Sequence, residues 1–220
     1  MTLLVRMLKS IKTPQVRVRV CSCLGLLIRH STVIDNEVAE SEVCTVLCEV
    51  LMKETNEKVR RKAVAALGEF MFYAATQLDD DQADPCWEIK DEAVNGIIKA
   101  LRVQGDSDFV PDETVVFYAV KTLENITAQS NSAGGRFATV ESANYLLQIF
   151  LGIHTPQAQQ VPLYLNEHLR TSAAVALSHI VRLQPKLFPL IFNKITPRLF
   201  CYTLTEGSPR VQQAFITVLN

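Results

Sequence analysis

Four basic side chains crowd into five positions at Lys58, Arg60, Arg61 and Lys62, and Arg17 and Arg19 stand at the equivalent places of an earlier segment. Cations gathered this closely could hold an acidic ligand. They fall near the start of a predicted helix, where each works against the macrodipole by about 0.3 to 1 kcal/mol at low salt. Something should offset that cost. One candidate is a ladder between structural repeats, in which the first arginine of each cluster (Arg17, Arg60, Arg170) bonds an acidic residue or a carbonyl of a neighbouring unit. The other is an acidic partner bound at Arg17, Arg19, Arg60, Arg61 and Lys62. The ladder is the favoured reading of the two.

Other reactive residue types are present, but not in reactive patterns. The cysteines, Cys21, Cys23, Cys44, Cys48, Cys86 and Cys201, never take the Cys-x-x-Cys spacing of a zinc knuckle or redox pair. Cys44 and Cys48, four apart, read as core filler of a reduced, cytosolic protein. The histidines, His30, His154, His168 and His179, have no nucleophile at a suggestive spacing and form no His-x-x-x-His pair, and no glycine-rich phosphate loop occurs. The sequence predicts a non-enzyme with no cofactor, no metal and no small-molecule substrate. The acidic run from Asp79 to Asp84 reads as a solvated loop rather than a basic-partner site. Trp87, the only tryptophan, reads as a plug between repeats. Asn125-Ile126-Thr127 matches a glycosylation sequon, yet it lies in a predicted helix beside a core residue.

The elements that position these residues repeat. Five times a short polar residue able to cap a helix precedes, by three positions, an aliphatic residue that opens one apolar pattern: Thr13 and Val16, Asn56 and Val59, Asp112 and Val115, Asn166 and Leu169, Ser208 and Val211. Eight positions beyond each aliphatic residue stands a leucine, at Leu24, Leu67, Leu123, Leu177 and Leu219. Position four carries Val20, Ala63, Ala119, Ala173 and Phe215, and position eleven carries Leu27, Phe70, Ile126 and Ile180. Positions 0, 4, 8 and 11 share one stripe of a helix with 3.6 residues per turn, and a strand would need period two. Pro14 and Pro209 occupy the favoured first helical position.

Each patterned helix follows a partner with its own apolar stripe, over residues 2–11, 38–54, 88–103, 139–153 and 186–205. The last partner is broken by prolines and should be bent or split. The leucines are spaced by 43, 56, 54 and 42 residues, against about 40 to 47 for HEAT and armadillo repeats. The two long intervals need insertions, and the polar stretches 79–85, 131–135 and 155–160 read as the loops that supply them. The sequence therefore predicts an all-α, right-handed α-solenoid of about five HEAT/armadillo-like hairpins in a single domain, with repeats near 1–31, 38–77, 88–130, 139–184 and 186–220. No polar capping helix stands at either end, so the chain reads as a piece of a longer protein.

Hydrophobic residues make up 48% of the chain, with 8 glycines and 9 prolines, enough for a continuous core. Lys+Arg number 22 against 23 Asp+Glu, so no global field attracts nucleic acid or an anionic membrane. The most apolar stretch, near 187–204, is interrupted by Pro189, Lys194, Pro197 and Arg198, and there is no signal-peptide pattern.

The segment Gly68-Glu69-Phe70-Met71-Phe72-Tyr73-Ala74-Ala75-Thr76-Gln77, followed by Cys86-Trp87, resembles the helical-repeat region of the Unc-51-like kinase four and Runkel pseudokinases. Further likeness lies in Thr122-Leu123-Glu124-Asn125-Ile126, in Arg136-Phe137 and in the stretch from Leu177 to Pro185, so the resemblance covers residues 57 to 220. It implies a kinase-like domain outside these residues, a repeat platform that docks partners, and association with microtubules, cilia or the plant division apparatus. It carries over no catalytic residue. The expectation is a cytoplasmic, cytoskeleton-associated scaffold for a protein partner such as a kinesin or another microtubule-associated regulator, with no role at a membrane. The alternative is direct binding of an acidic polymer, tubulin tails or RNA, through the basic ridge.

Overall fold

The computed structural model describes residues 1–31, 42–78, 89–103, 110–152, 166–205 and 207–219. Among them every regular element is a helix: α1 (Thr2–Ser10), α2 (Pro14–His30), α3 (Val43–Lys53), α4 (Glu57–Leu78), α5 (Asp91–Ala100), α6 (Glu113–Gln129), α7 (Asn131–Gly135), α8 (Val140–Leu151), α9 (Glu167–Leu183), α10 (Leu187–Phe192), α11 (Pro197–Thr205) and α12 (Pro209–Leu219).

The hairpins follow from the two apolar stripes. Each long second helix packs on the first helix before it: α2 on α1, α4 on α3, α6 on α5, α9 on α8 and α12 on α11. The second helices also pack on one another in series, α2 on α4, α4 on α6, α6 on α9 and α9 on α12. First helices meet over shorter stretches, α1 with α3, α3 with α5 and α8 with α10. The second helices thus form the row with the more extensive contacts from unit to unit, the inner row, and the first helices form the outer row. This is an α-solenoid.

Leu24, Leu67, Leu123 and Leu177 are completely buried, as are Ala63, Ala119, Ala173 and Phe215 four positions into their patterns. Leu219 is partly buried against the same core. Position eleven departs from the expected stripe in the first unit. Phe70, Ile126 and Ile180 are buried there, whereas Leu27 is 48% exposed and Ile28 takes the core place instead.

The caps are satisfied in four of the five expected places. Asp112 accepts from the Thr114 and Val115 amides, and Asn166 from the His168 amide. Asn56 accepts from Val59 at 3.2 Å and Ser208 from Val211 at 3.4 Å. The Thr13 side chain makes no capping bond, and Pro14 alone sets the start of α2. The broken last partner is split as expected, into α10 and α11. Pro189 lies in the first turn of α10, where a missing N–H leaves no bond unmade.

One expected loop is a helix. Residues 131–135 form α7, started by the Ser130 hydroxyl, which accepts from the Ala133 amide at 3.0 Å. One of its two glycines serves close approach: α7 packs between α6 and α9, and a Cβ at Gly134 would come to 3.0 Å from the Thr127 Cα. The other two predicted loops, together with Cys86, Trp87 and His154, lie outside the described residues.

Replacing Leu67 or Leu123 by alanine should cost about 2 to 5 kcal/mol, because each leaves a cavity at the junction of two hairpins. Urea unfolding measures this directly. Hydrogen exchange should show the loss spreading into the adjoining units, as expected for a one-dimensional array. A change under about 0.5 kcal/mol would contradict the packing.

Candidate docking surface

The five cationic residues singled out from the sequence divide into two groups. Arg17 lies in the first turn of α2, and its Nε stands 3.1 Å from a carboxylate oxygen of Glu54, just past the end of α3 in the next unit. Its Nη1 donates to the Ile11 carbonyl at 3.3 Å. Arg61, one turn into α4, donates from Nε to both carboxylate oxygens of Asp112, at 3.0 and 2.8 Å, and pairs within its own helix with Glu57 at 3.1 Å. Both guanidiniums are therefore committed within the stack.

Arg19, Arg60 and Lys62 make no side-chain hydrogen bond or ion pair among the described residues. Arg19 and Lys62 are exposed and Arg60 is half-buried. Arg19 and Lys62 hold one register, three positions after Val16 and Val59, on the neighbouring helices α2 and α4. The structure thus brings these two into a row and takes Arg17 and Arg61 out of it.

The ladder favoured from the sequence exists at Arg17, but not with the expected set of arginines. In the second unit its member is Arg61 rather than Arg60. Arg170 bonds the Phe150 carbonyl at 2.8 Å, which lies at the end of α8 in its own unit, and so it braces a hairpin instead of joining two. The rung between the third and fourth units carries no arginine: a Glu113 carboxylate oxygen accepts from the Asn166 amide at 2.9 Å. A one-position difference such as Arg60 against Arg61 turns a side chain by about 100° around its helix. Only the relative placement of two helices selects between them.

Sequence reasoning missed an aromatic cluster on the same edge. Tyr118 holds the Arg19 and Lys62 register in the third unit, three positions after Val115. It is half-buried, with its ring edge-on to Phe117 at 5.7 Å, and Phe117 in turn meets the His168 ring of the next unit at 5.6 Å. Reading the third position of each unit as a column would have found it. Deeper along α6 and α9, the Thr127 hydroxyl lies 3.1 Å from His179 Nδ1 and joins two units. Burial and the nearby Arg182 charge hold the His179 pKa below its usual value.

In the row of first helices a groove of about 580 Å³ runs between α3 and α5, lined by Cys44, Cys48, Met52, Lys90, Glu92 and Gly96 among others. The Cys48 thiol donates to the Glu92 carbonyl at 3.1 Å. Burial pushes the Cys44 thiol up to about 12 and that of Cys21 to about 11, so both are poor nucleophiles and poor metal ligands near neutrality. Among the described residues no three His, Cys, Asp or Glu side chains gather as a metal site, and no helix is long and apolar enough to cross a membrane.

No family model matches the chain. Over its whole length it is 31% identical to a stretch of the serine/threonine-protein kinase RUNKEL of Arabidopsis thaliana. It is 24% identical, over 99% of its residues, to a stretch of the serine/threonine-protein kinase ULK4 of Mus musculus. The likeness therefore begins well before residue 57, where the sequence motifs had placed its start. The chain spans 16% of the length of each of these relatives. The crystal structure of an engineered protein superposes with a TM-score of 0.65 at 19% identity, covering 99% of this chain and 77% of that one. That likeness is one of fold.

Arg61→Ala should destabilise the chain by about 1 kcal/mol, since the pair is half-exposed on the arginine side but leaves the buried Asp112 carboxylate without its cation. Arg61→Lys should recover only part of that loss in urea unfolding, because a single ammonium cannot reach Asp112 and Glu57 from two separate nitrogens. The thiols give a separate signature in pH. Their ordinary value is near 9, below the raised values of the folded chain, so the unfolded chain sheds these protons first and stability falls as pH rises above 9. Between pH 8 and about pH 10.5 the Cys21→Ala and Cys44→Ala variants should each lose about 2 kcal/mol less than the parent.

Proposed function

We propose that this chain, similar from end to end to one segment of the RUNKEL and ULK4 proteins, is a non-catalytic docking platform for partner proteins of the microtubule, ciliary or cytokinetic machinery. The observation that carries the reading is the division of labour among its cations. Arg17 and Arg61 are consumed in joining units, while Arg19 and Lys62 are left exposed, with the half-buried Arg60 beside them, on a stack held by a continuous core. A rigid stack with unpaired charge suits recognition, and among the described residues no exposed side chain is a nucleophile activated by an adjacent base. The kinase names of the relatives belong to whole proteins of which this chain matches a small part.

The compartment in this reading is the cytoplasm, in association with the cytoskeleton, and a kinesin or a similar motor regulator is the kind of partner expected. The second reading is direct contact of the unpaired cations with an acidic polymer, tubulin tails or RNA. It is favoured specifically by the exposed Arg19 and Lys62.

Affinity capture from dividing or ciliated cells, using the intact chain as bait, tests the first reading: microtubule-associated regulators should be enriched over a bait of another helical repeat protein. Recovery of no cytoskeletal protein would overturn it. Co-sedimentation with microtubules tests the second, which requires binding that weakens steeply as ionic strength rises past about 0.15 M. Salt-insensitive binding, or none, would remove it.

A further inference from the structure

We infer that the row Arg19, Lys62 and Tyr118 is the seat of an extended acidic segment of a partner protein, with carboxylates three residues apart and an aromatic or apolar side chain three residues further on. This rests on the docking-platform reading and names the chemistry of the docked segment.

The three residues occupy one register on three successive stacked helices, α2, α4 and α6, on the side turned away from the first helices. Several cations of this stack are held by carboxylates: Lys9 by Glu42, Arg29 by Glu69, Lys121 by Glu124 and Arg136 by Asp91, besides Arg17 and Arg61. Arg19 and Lys62 are among the cations with no such partner among the described residues, and they are the two of these that share one register on packed second helices. Their neighbours Lys58 and Arg60 add positive charge in the first turn of α4, where the helix dipole opposes it. A negatively charged ligand relieves all of these at once.

Geometry selects the form of that ligand. Packed helices lie about 8 to 10 Å apart. A polyproline-type segment turns once every three residues and rises about 9 Å in doing so, which brings every third side chain to the same side. Carboxylates at that interval meet Arg19 and then Lys62, and the following third position arrives at Tyr118. The Tyr118 ring is fixed by its edge contact with Phe117 and offers an apolar face with a hydroxyl donor. Arg17 and Arg61 act as positioning residues, since they tie the starts of α2 and α4 to the units that follow.

A nucleic acid fits less well. Its phosphates demand a long cationic track, and affinity there grows with the number of charges neutralised. This row ends after two cations in an aromatic cluster, on a chain of net charge −1.

The test is fluorescence anisotropy of the intact chain with three labelled probes of equal length: a peptide with glutamates at every third position and a phenylalanine one interval on, a peptide of the same composition with its glutamates adjacent, and a single-stranded RNA. The spaced peptide should bind at least about tenfold more tightly than the other two. Arg19→Glu with Lys62→Glu should abolish that binding, Arg19→Gln with Lys62→Gln should weaken it about tenfold, and Tyr118→Ala should weaken it about threefold, with thermal melting unchanged. Equal binding of both peptides, preference for RNA, or affinity unaffected by the Arg19 and Lys62 changes would overturn the inference. If the chain captures cytoskeletal partners and these variants capture them equally well, the platform reading stands and the acidic-segment assignment falls.

Discussion

At Gly25 and Gly68 the second helices of successive units approach more closely than side chains would ordinarily permit. A Cβ at Gly25 would lie 3.3 Å from the Ala66 Cα, and one at Gly68 would run into the Thr122 hydroxyl, which is itself pinned to the Tyr118 carbonyl at 2.8 Å. This narrow spacing along the inner row is the constraint on which the stacking of the units depends. The leucines at position eight then close the space between the two rows, and each is shielded from both the partner helix and the adjoining unit. A hairpin alone could not bury both sides of such a residue, so the stack is stable only as an array.

Polar contacts between units are laid over this apolar frame and do not replace it. They run along both ends of the second helices: Arg17 with Glu54 and Arg61 with Asp112 near their starts, Arg29 with Glu69 and Thr127 with His179 nearer their ends. Most are partly exposed and individually weak. Their consequence is directional. Ion pairs at both ends of a helix oppose rotation of one unit against the next, which a smooth apolar contact tolerates more readily, and they set which side chains remain turned outward. Asp112 serves twice, accepting from the first amides of α6 while it holds Arg61, so the start of one helix and its link to the previous unit stand or fall together.

The fourth unit is built differently from the first two. Before its hairpin of α8 and α9 comes the short α7, which packs against α6, α9 and α4, while Arg136 just beyond it reaches back to the Ile89 carbonyl and Asp91 at the start of α5. A three-helix unit within a series of two-helix units explains how the long interval between Leu123 and Leu177 is partly accommodated without breaking the inner row. The row carries on through α9 to α12, where Phe150 and Phe200 both pack on Phe215. The series of second helices therefore continues although the first helices are irregular.

Helix type, hairpin order and the buried stripe are legible in the sequence because they depend on local period: a leucine eight positions from an aliphatic residue lies on the same face wherever the helix goes. Four of the five caps are legible for the same reason, since a cap bonds amides two or three residues away. What only the tertiary structure decided lies between units. Leu27 and Ile216 carry core residue types yet are 48% and 58% exposed, while Ile28 beside Leu27 is fully buried. Asn131 to Gly135 looks like a loop until Gly134 is seen to admit the α6 backbone. Arg61 rather than Arg60 joins the second and third units, and Tyr118 rather than a cation extends the outward row. Each of these depends on the rotation and offset of one helix against the next, a quantity written in no single stretch of residues.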